Sequence, residues 1–154
     1  HRVDRRQRQM CIRDSVYGTG DQKASKKRNA LQYLVGEVTN NRNINLYDAG
    51  ENIRDFMHVE DACRAINLVI NRCPLNTIVN VGNGIPYKFV DLMGYVKEKT
   101  NSKSKFNTVE PPDFHKTVQV KDMYLDVVKL KNIGFKPKYN IWDGLDILMD
   151  NLRE

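Results

Sequence analysis

The sequence predicts an α/β fold in which some strands pair in parallel. Three observations carry that expectation. Short apolar runs with strand alternation, such as 44–47 and 53–58, are followed by stretches with helical periodicity. These two kinds of segment alternate along the chain with no internal repeat. The breaks between them fall at glycine, proline and asparagine clusters, among them Gly82-Asn83-Gly84 and Pro111-Pro112.

The elements follow in order. Val16 and Tyr17 read as a strand end before the turn Gly18-Thr19-Gly20. A helix is expected over 26–40, capped by Ser25, with Leu31, Leu34, Val35 and Val38 as one apolar stripe. A strand at 44–47 and a turn at 48–52 precede a strand over 53–58. The next helix spans 60–71, turns Ala62, Ala65, Ile66, Val69 and Ile70 to one side, and stops before Pro74. The apolar run 77–81 reads as a central strand. Pro86 opens a helix carrying Phe89, Leu92, Met93 and Val96 on one face. A strand is expected at 106–109, weak alternation over 118–125, and a short helix over 127–133 closed by Gly134. The last helix, 141–152, turns Ile141, Leu145, Leu148, Met149 and Leu152 inward.

Composition narrows the class. The chain has 154 residues, enough for one domain with a core. Its apolar stretches fall far short of the roughly 18–20 residues that span a bilayer, and no apolar run follows the basic N-terminus. A cytoplasmic location with no membrane partner is the expectation. Net charge is +6, of which +3 lies in residues 1–14 with their five arginines and two aspartates. The remaining excess is too mild for a nucleic-acid-binding stripe. Cys11, Cys63 and Cys73 are odd in number and lack metal or redox spacing; Cys63 and Cys73 are read as small apolar fillers. His1, His58 and His115 are scattered, so no metal is expected.

Residues 1–15 show no periodicity and are read as a non-native or disordered basic segment resembling translated adapter sequence, with 16–154 as the folded unit. The competing reading makes Arg2, Arg5, Arg6, Arg8 and Arg13 a nucleic-acid arm. Strong, salt-sensitive binding that disappears in a chain starting at Val16 would support it.

The chemistry-bearing candidates are binding groups. Arg54 sits near a strand end, where a rigid guanidinium suits a phosphate; an ion pair with Asp55 or Asp61 is the structural alternative. His115 and Lys116 lie in a loop after two prolines. Asn83, between two glycines, reads as a turn former. Leu46 and Tyr47 face opposite sides of their strand, and either could be core. Asp126 and Lys129 have the spacing of a helical ion pair. The sequence contains no glycine-rich dinucleotide fingerprint, P-loop, nucleophile elbow or HExxH.

Six blocks in order carry a resemblance: Val16 to Gly20, Asn45 to Gly50, Arg54 to Asp61, Asn80 to Gly84, Asp126 to Lys129 and Gly134 to Lys138. Over 16–152 the chain resembles the C-terminal half of the extended short-chain dehydrogenase/reductase family, the NAD-dependent nucleotide-sugar epimerases and dehydratases. The resemblance implies the substrate-binding part of a Rossmann-type enzyme, truncated. In the full-length parent it implies NAD or NADP, a nucleoside-diphosphate sugar as partner, isomerase or lyase chemistry, and a homodimer. It also implies a catalytic Tyr-x-x-x-Lys pair that abstracts a sugar hydroxyl proton while hydride passes to the cofactor. Tyr95 and Lys99 match that spacing but lie on a packing helix, so no catalytic residue is assigned and the chain by itself is expected to be inactive and to bind no cofactor. Arg54 matches the phosphate-contacting arginine. Asn45, Leu46 and Tyr47 match the strand along the nucleotide base. His115 or Lys116 stands where the family often has a second arginine, and Ser15 where it has an asparagine. A non-catalytic member that binds a nucleotide or a protein is the alternative within the family.

Overall fold

The structure, a computed structural model, describes residues 15–19, 29–113 and 120–152. Strand β1 (Val16–Tyr17) pairs in parallel with β4 (Met57–His58), placing Tyr17 opposite His58. Strand β2 (Ile44–Tyr47) pairs in parallel with β6 (Phe106–Val109). A third sheet centres on β3 (Ile53–Asp55), antiparallel to β5 (Pro86–Lys88) and parallel to β7 (Asp122–Met123). The helices are α1 (Ala30–Thr39), α2 (Val59–Arg72), α3 (Phe89–Lys99), α4 (Val128–Asn132) and α5 (Ile141–Asn151). The α/β class and the parallel pairing expected from the sequence are both present. Among the described residues no helix is long and apolar enough to cross a membrane.

Two cores organise these elements. The first gathers Leu31, Val35 and Val38 of α1, Leu92 and Met93 of α3, and Leu145 of α5 around Tyr17 and Phe56. The second sets Met57 against Ala62, Ala65, Val127, Leu130 and Phe135. Asn29 stitches α1 to β1. Its side-chain oxygen caps the Gln32 N–H at 3.2 Å, and its amide donates to the Val16 carbonyl at 2.8 Å. Gln32 adds a bond to the Gly18 carbonyl.

Several expectations are corrected. Asn29 caps α1 in extended conformation, so the helix starts at Ala30; Ser25 lies outside the described residues. The strand expected over 53–58 is two strands, because the chain changes sheets at Phe56, which is fully buried against the Phe89 ring. The expected central strand at 77–81 forms no ladder. Val79 and Val81 reach the second core, while Ile78 is 83% exposed. Asn80 donates to the Asp126 backbone carbonyl and Lys129 to that of Ile78, while the Asp126 carboxylate accepts the Val128 N–H, so the Asp126 and Lys129 side chains are spent apart from each other. Helix α2 buries the small residues Ala62 and Ala65 but leaves Ile66 and Ile70 in solvent; Cys63 is exposed as well, not a core filler. Leu152 is exposed, one residue beyond α5. Of the run 118–125, only Asp122–Met123 is strand among the described residues.

Candidate functional site

The Arg54-to-Asp61 block builds two clamps and one presented guanidinium. Asp55 is buried on β3. Its Oδ1 accepts the Asn83 N–H at 3.0 Å; its Oδ2 accepts those of Gly84 at 2.8 Å and Leu125 at 3.4 Å. Burial pushes this carboxyl above its ordinary value, and the backbone N–H donors partly offset that. Gly82 and Gly84 are required here. A Cβ at 82 would stand 2.6 Å from an Asp55 oxygen, and Gly84 has φ +68. Asn83 is nearly buried and donates its amide to the Phe56 carbonyl at 2.7 Å, consistent with a turn former.

Asp61, in the first turn of α2, is the second clamp. Its oxygens accept the backbone N–H groups of Lys138 and Tyr139 at 2.9 to 3.0 Å, and it pairs with Arg64 at 2.5 Å. The two acids offered as alternative partners for Arg54 are thus both committed to backbone. Sequence reading did not assign either role. The signal available was an acid beside a strand end followed by a glycine turn or a helix start.

Arg54 points from β3 toward the segment ahead of β7. Its Nη1 donates to the carbonyls of Ile53 at 2.7 Å and Lys121 at 2.8 Å, and Nη2 to that of Val120 at 2.9 Å. Asp122 reciprocates by accepting the Ile53 N–H at 3.1 Å. The guanidinium is held in one orientation and remains partly accessible. Its carbonyl partners directly follow 114–119 in sequence. His115 and Lys116 belong to that stretch and lie outside the described residues, so the structure does not show whether they meet Arg54.

On β2, Leu46 is core at 4% exposure. Asn45 is exposed and accepts from Asn107 on β6 at 3.2 Å. Tyr47 is half-buried on the opposite face from Leu46. Tyr95 and Lys99 are occupied in packing: the Tyr95 hydroxyl donates to Asp146 of α5 at 2.9 Å, and Lys99 lies 5.3 Å over the Tyr95 ring.

His58 was not singled out as a site residue from sequence. It ends β4, caps α2 through Nδ1 on the Glu60 N–H at 3.4 Å, and stacks on Tyr139 at 4.2 Å. Burial lowers its pKa. Among the described residues no His, Cys, Asp or Glu cluster could hold a metal. The described residues also lack a glycine-rich turn leading directly from a parallel strand into a helix, since α1 begins well beyond Gly18.

Comparison with known proteins agrees with this architecture. Residues 11–82 match the model of the NAD dependent epimerase/dehydratase family, a stretch that begins inside the segment 1–15. The low-salt glycan biosynthesis protein Agl12 of Haloferax volcanii is 24% identical over 118 residues, 76% of this chain and 37% of that protein. A putative UDP-glucose 4-epimerase of Methanocaldococcus jannaschii is 24% identical over 131 residues, 85% of this chain and 41% of that protein. Among solved structures, the UDP-glucose 4-epimerase of Thermotoga maritima with UDP-glucose superposes with a TM-score of 0.78 at 23% identity, covering 90% of this chain and 43% of that one. The epimerase Mth375 of Methanothermobacter thermautotrophicus gives 0.80 at 19% identity, with 90% and 41% covered. The chain spans about two fifths of the length of the curated relatives it matches. Over residues 11–82 the chain is similar to the NAD dependent epimerase/dehydratase family, and its fold agrees with that of the solved epimerases.

Proposed function

We propose that this chain is the substrate-binding part of an NAD(P)-dependent nucleotide-sugar epimerase or dehydratase, and that Arg54 takes the ligand's diphosphate. The observation that supports it is the state of the Arg54 guanidinium. Backbone carbonyls of Val120 and Lys121 fix its plane at the end of β3, while Asp55 and Asp61 bind backbone N–H groups elsewhere. Tyr47 and Asn45, on the neighbouring sheet, are the proposed contacts to the base, with His115 and Lys116 as further basic contacts. The catalytic tyrosine, lysine and cofactor belong to the rest of the full-length enzyme, which is proposed to be a cytoplasmic homodimer. This chain alone is proposed to turn nothing over, because its own tyrosine-lysine pair is engaged with Asp146 of α5.

The experiment is calorimetric titration with UDP-, GDP-, CDP- and dTDP-sugars. Binding of one class, abolished in Arg54→Ala, is the expected result. A chain that binds none of them, or an Arg54→Ala variant that binds as well as the parent, overturns the reading. Turnover of a sugar nucleotide by this chain unaided would overturn the proposal of inactivity.

A further inference from the structure

We propose that His58 is a sugar-recognising residue, whose Nε2–H donates to a hydroxyl oxygen of the hexose in the nucleotide sugar. This rests on the reading that Arg54 takes the diphosphate of the same ligand. The starting observation is an unpaired donor. His58 is 4% exposed, and its Nε2 is buried with no hydrogen-bond partner. Its Nδ1 accepts the Glu60 N–H, so in the neutral ring the proton sits on Nε2. A buried N–H without an acceptor costs about 1–3 kcal/mol. The other orphaned side-chain atoms among the described residues differ in kind. Those of Asn52 and Asn83 are carbonyl oxygens, and Thr39 has a hydroxyl that can rotate. Only His58 holds a donor fixed in direction.

The ring cannot turn away to find another partner. Tyr139 stacks on it at 4.2 Å, and Tyr17 meets it edge-on at 5.5 Å. Tyr139 is pinned in turn, by its backbone N–H on Asp61 and its hydroxyl on Glu60 at 2.7 Å. The position is also where α/β proteins place ligands. Tyr17 and His58 are the paired last residues of two parallel strands, and ligands of such sheets bind beyond the carboxyl ends. On that side stands Gly18. The Val59 side chain packs against Gly18 where a Cβ would stand, and that position lies 3.8 Å from Nε2, so the Gly18 backbone comes close to the imidazole edge.

Charge selects the atom that Nε2 meets. Glu60 and Asp61 occupy the first turn of α2 beside the ring. Their carboxylates offset the pull of the helix N-terminus on an anion, whereas a neutral hydroxyl oxygen needs no such pull. Arg54 and His58 are four residues apart, at most about 13 Å along extended chain, a separation of the order of a diphosphate joined to a pyranose ring. The two residues therefore divide the ligand: the cation takes the charged half, the neutral imidazole the sugar.

The test is calorimetric titration of the chain with UDP-glucose and with UDP, for the parent, His58→Phe, His58→Gln and Arg54→Ala. Phenylalanine keeps the stacked ring and removes the orphan donor; glutamine places an N–H near the Nε2 position. His58→Phe is expected to weaken UDP-glucose by about fivefold to tenfold and leave UDP unchanged. His58→Gln is expected to recover affinity to within about twofold of the parent. Equal UDP-glucose affinity in the parent and His58→Phe, with binding lost in Arg54→Ala, overturns this inference and leaves the diphosphate reading standing. A His58→Phe loss shared equally by UDP overturns it in favour of a structural role. Where the parent binds a GDP-, CDP- or dTDP-sugar instead, that ligand and its nucleoside diphosphate take the place of UDP-glucose and UDP; parent protein that binds none of the four classes overturns both readings. Should His58→Phe not fold, the parent's imidazole 15N spectrum decides: UDP-glucose must move the Nε2–H resonance where UDP does not, and an unmoved resonance overturns the inference.

Discussion

Replacing Asp55 should cost more stability than removing any other polar side chain in the Arg54-to-Asp61 block outside Asp61. The carboxylate is 3% exposed and accepts two short backbone bonds, from Asn83 at 3.0 Å and Gly84 at 2.8 Å, with a longer one from Leu125. Asp55→Ala leaves two well-bonded N–H groups facing a void. At about 1–3 kcal/mol for each orphaned group, less what water entry recovers, the loss is roughly 3–5 kcal/mol. For a chain of this size that is a fall in Tm of about 10 °C or more. Asp55→Asn is milder, about 1–3 kcal/mol, because the amide retains one accepting oxygen but turns an NH2 toward N–H donors. Thermal and urea unfolding followed by circular dichroism at neutral pH measure both. The parent adds a pH signature. Burial raises the Asp55 carboxyl in the folded state, so the folded chain holds that proton to higher pH than the unfolded chain does. Its contribution is full below the ordinary aspartate value and declines as pH rises through the raised one; Asp55→Asn should lack that decline. An Asp55→Ala variant within about 1 kcal/mol of the parent would refute the clamp.

The same measurements check four further expectations. Asp61→Ala, which strands the N–H groups of Lys138 and Tyr139 and leaves Arg64 unpaired, should lose roughly 3–5 kcal/mol. Gly144→Ala should destabilise by about 1–3 kcal/mol, since the added methyl falls on the Tyr17 ring and hydroxyl, and Tyr17→Phe should relieve part of that in a double-mutant cycle. Ile66→Lys with Ile70→Lys should change stability by no more than about 0.5 kcal/mol each while reducing self-association in light scattering, because both side chains already face solvent. His58 titrates below its ordinary value in the folded chain, so the unfolded state takes up its proton first as pH falls. Stability should therefore drop as pH falls from the ordinary histidine value toward the depressed one, and His58→Phe should flatten that stretch of the curve.

The elements that were legible in sequence are those whose faces are buried on one side by this chain itself. Helices α3 and α5 showed their stripes because Leu92, Met93, Val96, Ile141, Leu145 and Leu148 all enter one core. The strand expected at 77–81 was misread because an unbroken apolar run looks the same whether both faces are covered or only one. Here Val79 and Val81 point inward and Ile78 does not. Helix α2 misled for a related reason: its buried contact is made by Ala62 and Ala65, and its larger Ile66 and Ile70 face outward. The break at Phe56 carried no glycine or proline to announce it, since the chain changes sheet through side-chain packing on Phe89.

The site divides along the same line. Arg54 could be picked out from its position, but the tasks of Asp55 and Asp61 could not, because their partners are backbone N–H groups 28 and 77 residues away, which have no sequence signature. Successive residues on a strand face opposite sides, so Arg54 and Asp55 cannot easily share a partner across β3. Asp55 grips the 83–84 turn while Arg54 holds the carbonyls at 120–121. An ion pair between them would have neutralised the cation and freed the loops. Their separation spends the acid on the 83–84 turn and the guanidinium on the 120–121 carbonyls. A block that reads as alternating acids and bases is thus sorted by geometry into groups that hold the fold and groups that face a ligand. The Arg54→Ala and Asp55→Ala variants should separate accordingly, the first losing binding with a modest loss of stability and the second losing stability first.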